Sequence, residues 1–103
     1  MMGRLVRVCS AEELRERERV VVDVDNESVL VLFVGGRVYA LSNICTHEYA
    51  EMVNGLVVDD TITCPVHLSR FRLDDGEVLY PPAEKPLKTY KVVEKGGEVF
   101  IEL

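Results

Sequence analysis

The chain has no tryptophan and no glutamine, and among its 103 residues only two histidines and three cysteines. Cys9, Cys45 and Cys64 cannot all pair with one another, so a disulfide framework is excluded and each reads as a ligand or a buried thiol. Long apolar runs are lacking as well. The uncharged stretch Ser28–Gly36 is far too short to cross a bilayer, and Met1-Met2-Gly3-Arg4-Leu5-Val6-Arg7 carries charge inside its early apolar run, unlike a signal peptide. A soluble cytoplasmic protein is expected. Basic residues are scarce, 12 against 18 acidic, giving a net charge of −6. Phosphate backbones repel such a surface, which argues against nucleic-acid binding. There is no glycine-rich phosphate loop, no Ser/His/Asp set and no evident acid pair for hydrolysis or group transfer.

What remains is ordinary globular material, 48% hydrophobic and 29% charged. There is no repeat, low-complexity tract or linker, so residues 1–103 are expected to form one domain. The pattern is rich in short strands. Leu5–Cys9 reads as the first, followed by a capping box, Ser10 with Glu13 three residues on, that opens a short helix ending in the charged run Arg15–Arg19. Glu13 and Arg17 are spaced to support that helix. Val20–Val24 is the next strand, with Asp25-Asn26-Glu27 as its turn. Val29–Val34, Gly35-Gly36 and Arg37–Leu41 then give the strongest hairpin signal, because both glycines can take positive φ.

Regular alternation stops over residues 42–55. A second hairpin, Leu56–Val58 and Thr61–Thr63 around Asp59-Asp60, leads to Cys64-Pro65. Phe71–Leu73, the turn Asp74-Asp75-Gly76 and Glu77–Leu79 follow. Tyr80-Pro81-Pro82-Ala83 is expected to lie outside any ladder, since consecutive prolines donate nothing to a sheet. Leu87–Val93 and Glu98–Leu103 close the pattern around Lys95-Gly96-Gly97. Short strands with tight turns predict an all-β fold, an antiparallel β-sandwich or barrel with one short helix.

Both histidines sit just behind cysteines, in Cys45-Thr46-His47 and, after sixteen intervening residues, Cys64-Pro65-Val66-His67. Core residues scattered independently would rarely pair in this way. Zinc-chelating pairs usually leave two to four residues between donors, so the single spacer of Cys45 and His47 is tight for one tetrahedral ion. The difficulty vanishes if the two donors of each loop serve different metals. Cys9 lies in a strand and reads as a small buried hydrophobe.

The arrangement C-x-H-x₁₆-C-x₂-H resembles the Rieske signature. The wider set, with Leu68-Ser69-Arg70-Phe71, Asp75-Gly76, Pro81-Pro82, Pro86-Leu87 and Tyr90, is similar to the Rieske ferredoxins that feed bacterial ring-hydroxylating oxygenases. The resemblance implies one [2Fe–2S] cluster held by a two-loop subdomain, with loops at about 43–55 and 64–71 and a proline loop at about 80–83. It implies Cys45 and Cys64 as thiolate ligands of the inner iron and His47 and His67 as ligands of the outer iron. It implies too a one-electron carrier rather than an enzyme, serving redox partners, a reductase and a terminal oxygenase. Two other functions stay open: a small Rieske subunit of a larger redox enzyme such as nitrite reductase, and a zinc-stapled interaction domain.

The resemblance also bears on the cluster's surroundings. Respiratory Rieske proteins have a disulfide across the cluster, where this chain has Ala50 and Val66, and a tyrosine where it has Phe71. Ser69 matches their cluster-facing serine. Leu68 stands where a glycine normally follows the second histidine, which strains the backbone if that position requires positive φ. Leu68, Pro81 and Pro82 are expected to form an apolar collar at the cluster tip, while Glu48, Glu51 and Arg70 are either steering charges or plain solvated ones. Hydrogen bonds to sulfur favour the reduced form, so with two donors missing or altered and one, Ser69, retained, the expected midpoint potential is low for a Rieske centre, roughly −150 to +75 mV. A redox titration checks this, and a midpoint above about +200 mV contradicts it.

Overall fold

The computed structural model describes residues 3–46, 50–66 and 68–103. In chain order the elements are β1 (Leu5–Ser10), α1 (Ala11–Arg17), β2 (Arg19–Val24), β3 (Glu27–Val34), β4 (Arg37–Ser42), a 3₁₀ turn (Met52–Asn54), β5 (Leu56–Val58), β6 (Thr61–Thr63), β7 (Arg70–Arg72), β8 (Val78–Tyr80), β9 (Thr89–Lys95) and β10 (Glu98–Glu102). Every strand pairing is antiparallel. Six strands form a barrel-like sheet in the order β1-β10-β9-β4-β3-β2, and four form a smaller one, β5-β6-β7-β8.

The architecture hangs on β3. Its apolar run lacks alternation because both of its faces are buried. Leu30 and Leu32 point into a core shared with the small sheet, beside Leu41, Ile62, Phe71 and Leu73. Val29 and Val31 point the other way, into a second core with Leu14, Ala40, Val99 and Ile101. Cys9 lies in that second core, where burial pushes its thiol pKa up, as expected of a packed hydrophobe.

Helix α1 is short because its signals are close together. The Ser10 side chain accepts the Glu13 amide at 3.0 Å, and Glu18 ends the helix at φ 67°, sending its amide to Leu14. The Glu13 carboxylate takes Arg17 at 3.0 Å instead of completing the capping box.

Boundaries shift where side chains or prolines decide them. Asp25 and Asn26 alone form the first turn, both at positive φ, so Glu27 already belongs to β3 and pairs with Val24. Tyr80, expected outside the ladder, pairs with Arg70 at the end of β8. It keeps its own amide, and the residue before a proline favours extended backbone. Its ring also lies 4.9 Å from the Arg70 guanidinium. β9 starts at Thr89 rather than Leu87, because the Leu87 amide goes to the Gly76 carbonyl at 2.8 Å. Gly76 stands at φ +76°, and a Cβ there would lie 2.0 Å from the Leu87 oxygen, so only glycine lets the two backbones meet.

One polar cluster ties β3 to β9. Glu27 Oε1 accepts from Lys88 Nζ at 2.8 Å and from Tyr90 Oη at 2.6 Å. The bond from Lys88, then that from Tyr90, holds the Glu27 carboxyl below its usual range. Burial first, and the Glu27 carboxylate second, raise the Tyr90 phenol. A phenol whose folded pKa is raised contributes stability below the unfolded value of about 10 and loses it as pH rises toward the folded value. Tyr90 is therefore expected to stay protonated at pH 10. The phenolate absorbance difference between wild type and Tyr90→Phe reads this directly, and the variant should lose part of the alkaline fall in stability.

Candidate metal centre

The first cysteine loop grows from the end of β4. Asn43 is fully buried and organises its base: its amide goes to Ser28 O at 2.9 Å, its Oδ1 accepts the Val53 amide at 2.8 Å, and its Nδ2 donates to Ser28 Oγ at 3.2 Å. From β2, Arg19 Nη1 reaches the Val53 and Gly55 carbonyls at 2.6 and 2.7 Å and fixes the far end of the loop. Ile44 pairs with Glu51 across it. Cys45 then donates its amide to Ala50 O at 3.0 Å, closing the turn 45–50.

The second loop repeats this closure. β6 and β7 pair Thr63 with Arg70, and the next rung is Cys64 N–H to Ser69 O at 2.7 Å, closing the turn 64–69. Each cysteine thus opens a loop closed by its own amide on the residue five places later. His47 and Glu48 in the first loop and His67 in the second lie outside the described residues. Cys45 and Cys64, only 5% and 1% exposed, lie in the same core between the sheets.

A third segment, 81–87, completes the site. The Ala83 amide donates to Ser69 Oγ at 2.9 Å, and Thr46 Oγ1 donates to Lys85 O at 2.7 Å. Ser69 is fully buried; accepting from Ala83 leaves its own hydroxyl proton available to another acceptor. Phe71 is fully buried in the cysteine core and brings no donor. Leu68, Pro81 and Pro82 are exposed, and the Ser69–Ala83 bond joins the residues that follow Leu68 and Pro82. Of the residues expected to flank the ligands, Glu51 is exposed, with Oε1 3.5 Å from Asn43 Nδ2, and Arg70 stacks on Tyr80. The Arg70 Nε is buried with no acceptor among the described residues.

Leu68 carries the strain its sequence position suggested. It stands at φ +63° and is 68% exposed, so little burial offsets the left-handed backbone. Asn43, Arg19 and Thr46 were not singled out from sequence. Only Asn43, a turn-forming residue just before the first ligand loop, carried a usable signal.

Two cysteines held rigidly in one apolar core, each opening a short loop whose sequence contains a histidine, suit a cofactor with soft, mixed sulfur and nitrogen ligation. The comparisons agree. Residues 4–91 match the Rieske [2Fe-2S] domain family. The chain belongs to that family. It is 39% identical over 100 residues to the 3-phenylpropionate/cinnamic acid dioxygenase ferredoxin subunit of Escherichia coli K12, covering 95% of this chain and 92% of that protein. The Rieske fold is matched by the ferredoxin of carbazole 1,9a-dioxygenase from Nocardioides aromaticivorans IC177, with a TM-score of 0.87, 33% identity and coverage of 95% and 96%. It is matched too by a chain of the complex of reduced oxygenase and oxidised ferredoxin in carbazole 1,9a-dioxygenase, with a TM-score of 0.88, 30% identity and coverage of 95% and 92%. This Rieske protein carries one [2Fe–2S] cluster and is an electron carrier, not a catalyst.

Replacing Leu68 by glycine removes the left-handed penalty without opening a cavity. Leu68→Gly is expected to gain about 1 kcal/mol, read as a higher denaturant midpoint at an unchanged slope.

Proposed function

We propose that this Rieske protein takes electrons singly from a reductase and passes them to the terminal component of a ring-hydroxylating oxygenase, with residues 1–103 acting as one domain in the cytoplasm. Among the described residues no helix is long and apolar enough to cross a membrane. The ligands are Cys45 and Cys64 on the inner iron and His47 and His67 on the outer one. The observation that carries this assignment is the shared burial of the two cysteines at the mouths of equivalently closed loops.

When bound, the cluster supplies a one-electron couple, and replacing two thiolates by neutral imidazoles raises its potential above that of an all-cysteine cluster. The chain's own contribution is positional. Hydrogen-bonded loop closures and the packed core fix the two cysteines, so little rearrangement there accompanies a change of charge. Leu68, Pro81 and Pro82 place apolar surface beside the histidine loops, limiting water and leaving a face on which a redox partner can settle. The oxygenase is preferred as acceptor because relatives of nearly the same length are dioxygenase ferredoxin subunits.

The reduced protein should give a low-temperature EPR signal with an average g clearly below that of all-cysteine clusters. In stopped-flow mixing it should be reoxidised by a ring-hydroxylating terminal oxygenase. A colourless protein containing zinc, or stable copurification with a sirohaem subunit, overturns this assignment.

A further inference from the structure

The end of α1, the start of β2 and the end of β3 border an open cleft of about 410 Å³, closed on its far side by β5. Fully buried Leu32 lies at its floor, and half-buried Phe33, Val34 and Val57 give it apolar walls. That volume lies within the range of small-molecule sites. Arg17 and Arg19 line the cleft on either side of Glu18, the one carboxylate among its described lining residues. The turn between them is firmly set. Glu18 stands at φ 67°, with its amide on Leu14 O at 2.7 Å and its carbonyl accepting the Phe33 amide at 2.9 Å.

The two guanidinium groups are not equivalent. Arg17 is exposed and tied to Glu13 Oε2 at 3.0 Å. Arg19 is half-buried, and its bonds to Val53 O and Gly55 O, at 2.6 and 2.7 Å, both leave from Nη1. Its Nε and Nη2 have no acceptor among the described residues, yet neither is buried, a condition that Arg70 Nε alone meets there. The Nε–Nη2 edge is therefore open. It is also the edge that meets a carboxylate side-on, through two parallel hydrogen bonds. An open guanidinium edge beside apolar walls matches an anion that carries an apolar body.

We propose that this cleft binds a small carboxylate with a ring-sized apolar body. The carboxylate pairs with Arg19, and the body packs on Phe33, Val34 and Val57. Arg19 then works in two directions, holding the ligand on one edge and the Val53 and Gly55 carbonyls through Nη1. Any opening that releases Arg19 also loses the ligand, so occupancy stiffens the turn Met52–Asn54 beyond the first cysteine loop. The site uses no cofactor ligand and stands apart from the electron-carrier assignment.

Benzoate is the probe, titrated into the cluster-loaded protein by calorimetry, with benzyl alcohol and acetate as its two halves taken separately. One benzoate per chain should bind with a Kd of about 1 mM, the scale for a ligand of this size. Each half should bind at least about tenfold more weakly. Gly35→Asp puts a carboxylate at the edge of the cleft, where a Cβ meets nothing within 4 Å and aspartate tolerates a φ of +57°. It should weaken benzoate about tenfold, with its neutral match Gly35→Asn close to wild type. Arg19→Lys, which keeps the charge and removes the fork, should also lose affinity. With benzoate at ten times its Kd, hydrogen exchange over residues 51–56 should slow about tenfold. Absence of saturable benzoate binding, or equal binding by wild type and Gly35→Asp, overturns the site. Binding that leaves exchange over 51–56 unchanged overturns the link to the loop.

Discussion

A thiolate in an apolar interior is tolerable only against compensating positive charge and rigid neighbours. Cys45 and Cys64 meet the second condition before any cofactor is considered, since both lie in the core between the sheets with Leu41, Ile62, Phe71 and Leu73 around them. The first condition is what a metal supplies. Much of the remaining structure can be understood as making that burial possible. β3 gives one face to the cysteine core and the other to the barrel interior, so the platform beneath the site is held from behind. Asn43 and Arg19 satisfy the backbone groups that the irregular first loop would otherwise leave unpaired.

Backbone conformation marks the two places where the site departs from relaxed geometry. At Gly76 the left-handed conformation costs little, because the residue has no Cβ, and it lets two backbone segments touch. At Leu68 the same region is occupied by a branched side chain that points largely into solvent. The strain at Leu68 sits next to a proposed ligand, where a fold often stores it.

Legibility from sequence followed the range of the interactions. The Gly35-Gly36 hairpin, the Ser10 cap and the β5–β6 hairpin depend on neighbours a few residues away, and the structure has them where composition placed them. The spaced cysteine and histidine pairs carried the resemblance that pointed to the cofactor class, and the family match bears that class out. Tyr80 was misplaced because its strand partner and the guanidinium it stacks on belong to Arg70, across a turn. Thr46 and Arg19 were invisible for a stronger reason: both act on backbone carbonyls, which carry no residue identity to read.

The edge pairing of the large sheet has a consequence for biosynthesis. Among the described strands β1 pairs with β10, with Leu5 opposite Glu102, so this strand waits for one made much later. The small sheet is different: β5, β6, β7 and β8 pair in sequence order through short connections. Local contacts of that kind form early, whereas closing a long loop is slow. The Cys64 hairpin can therefore take shape on the nascent chain while the barrel is still open, and the order of synthesis favours a preformed half-site over a finished body.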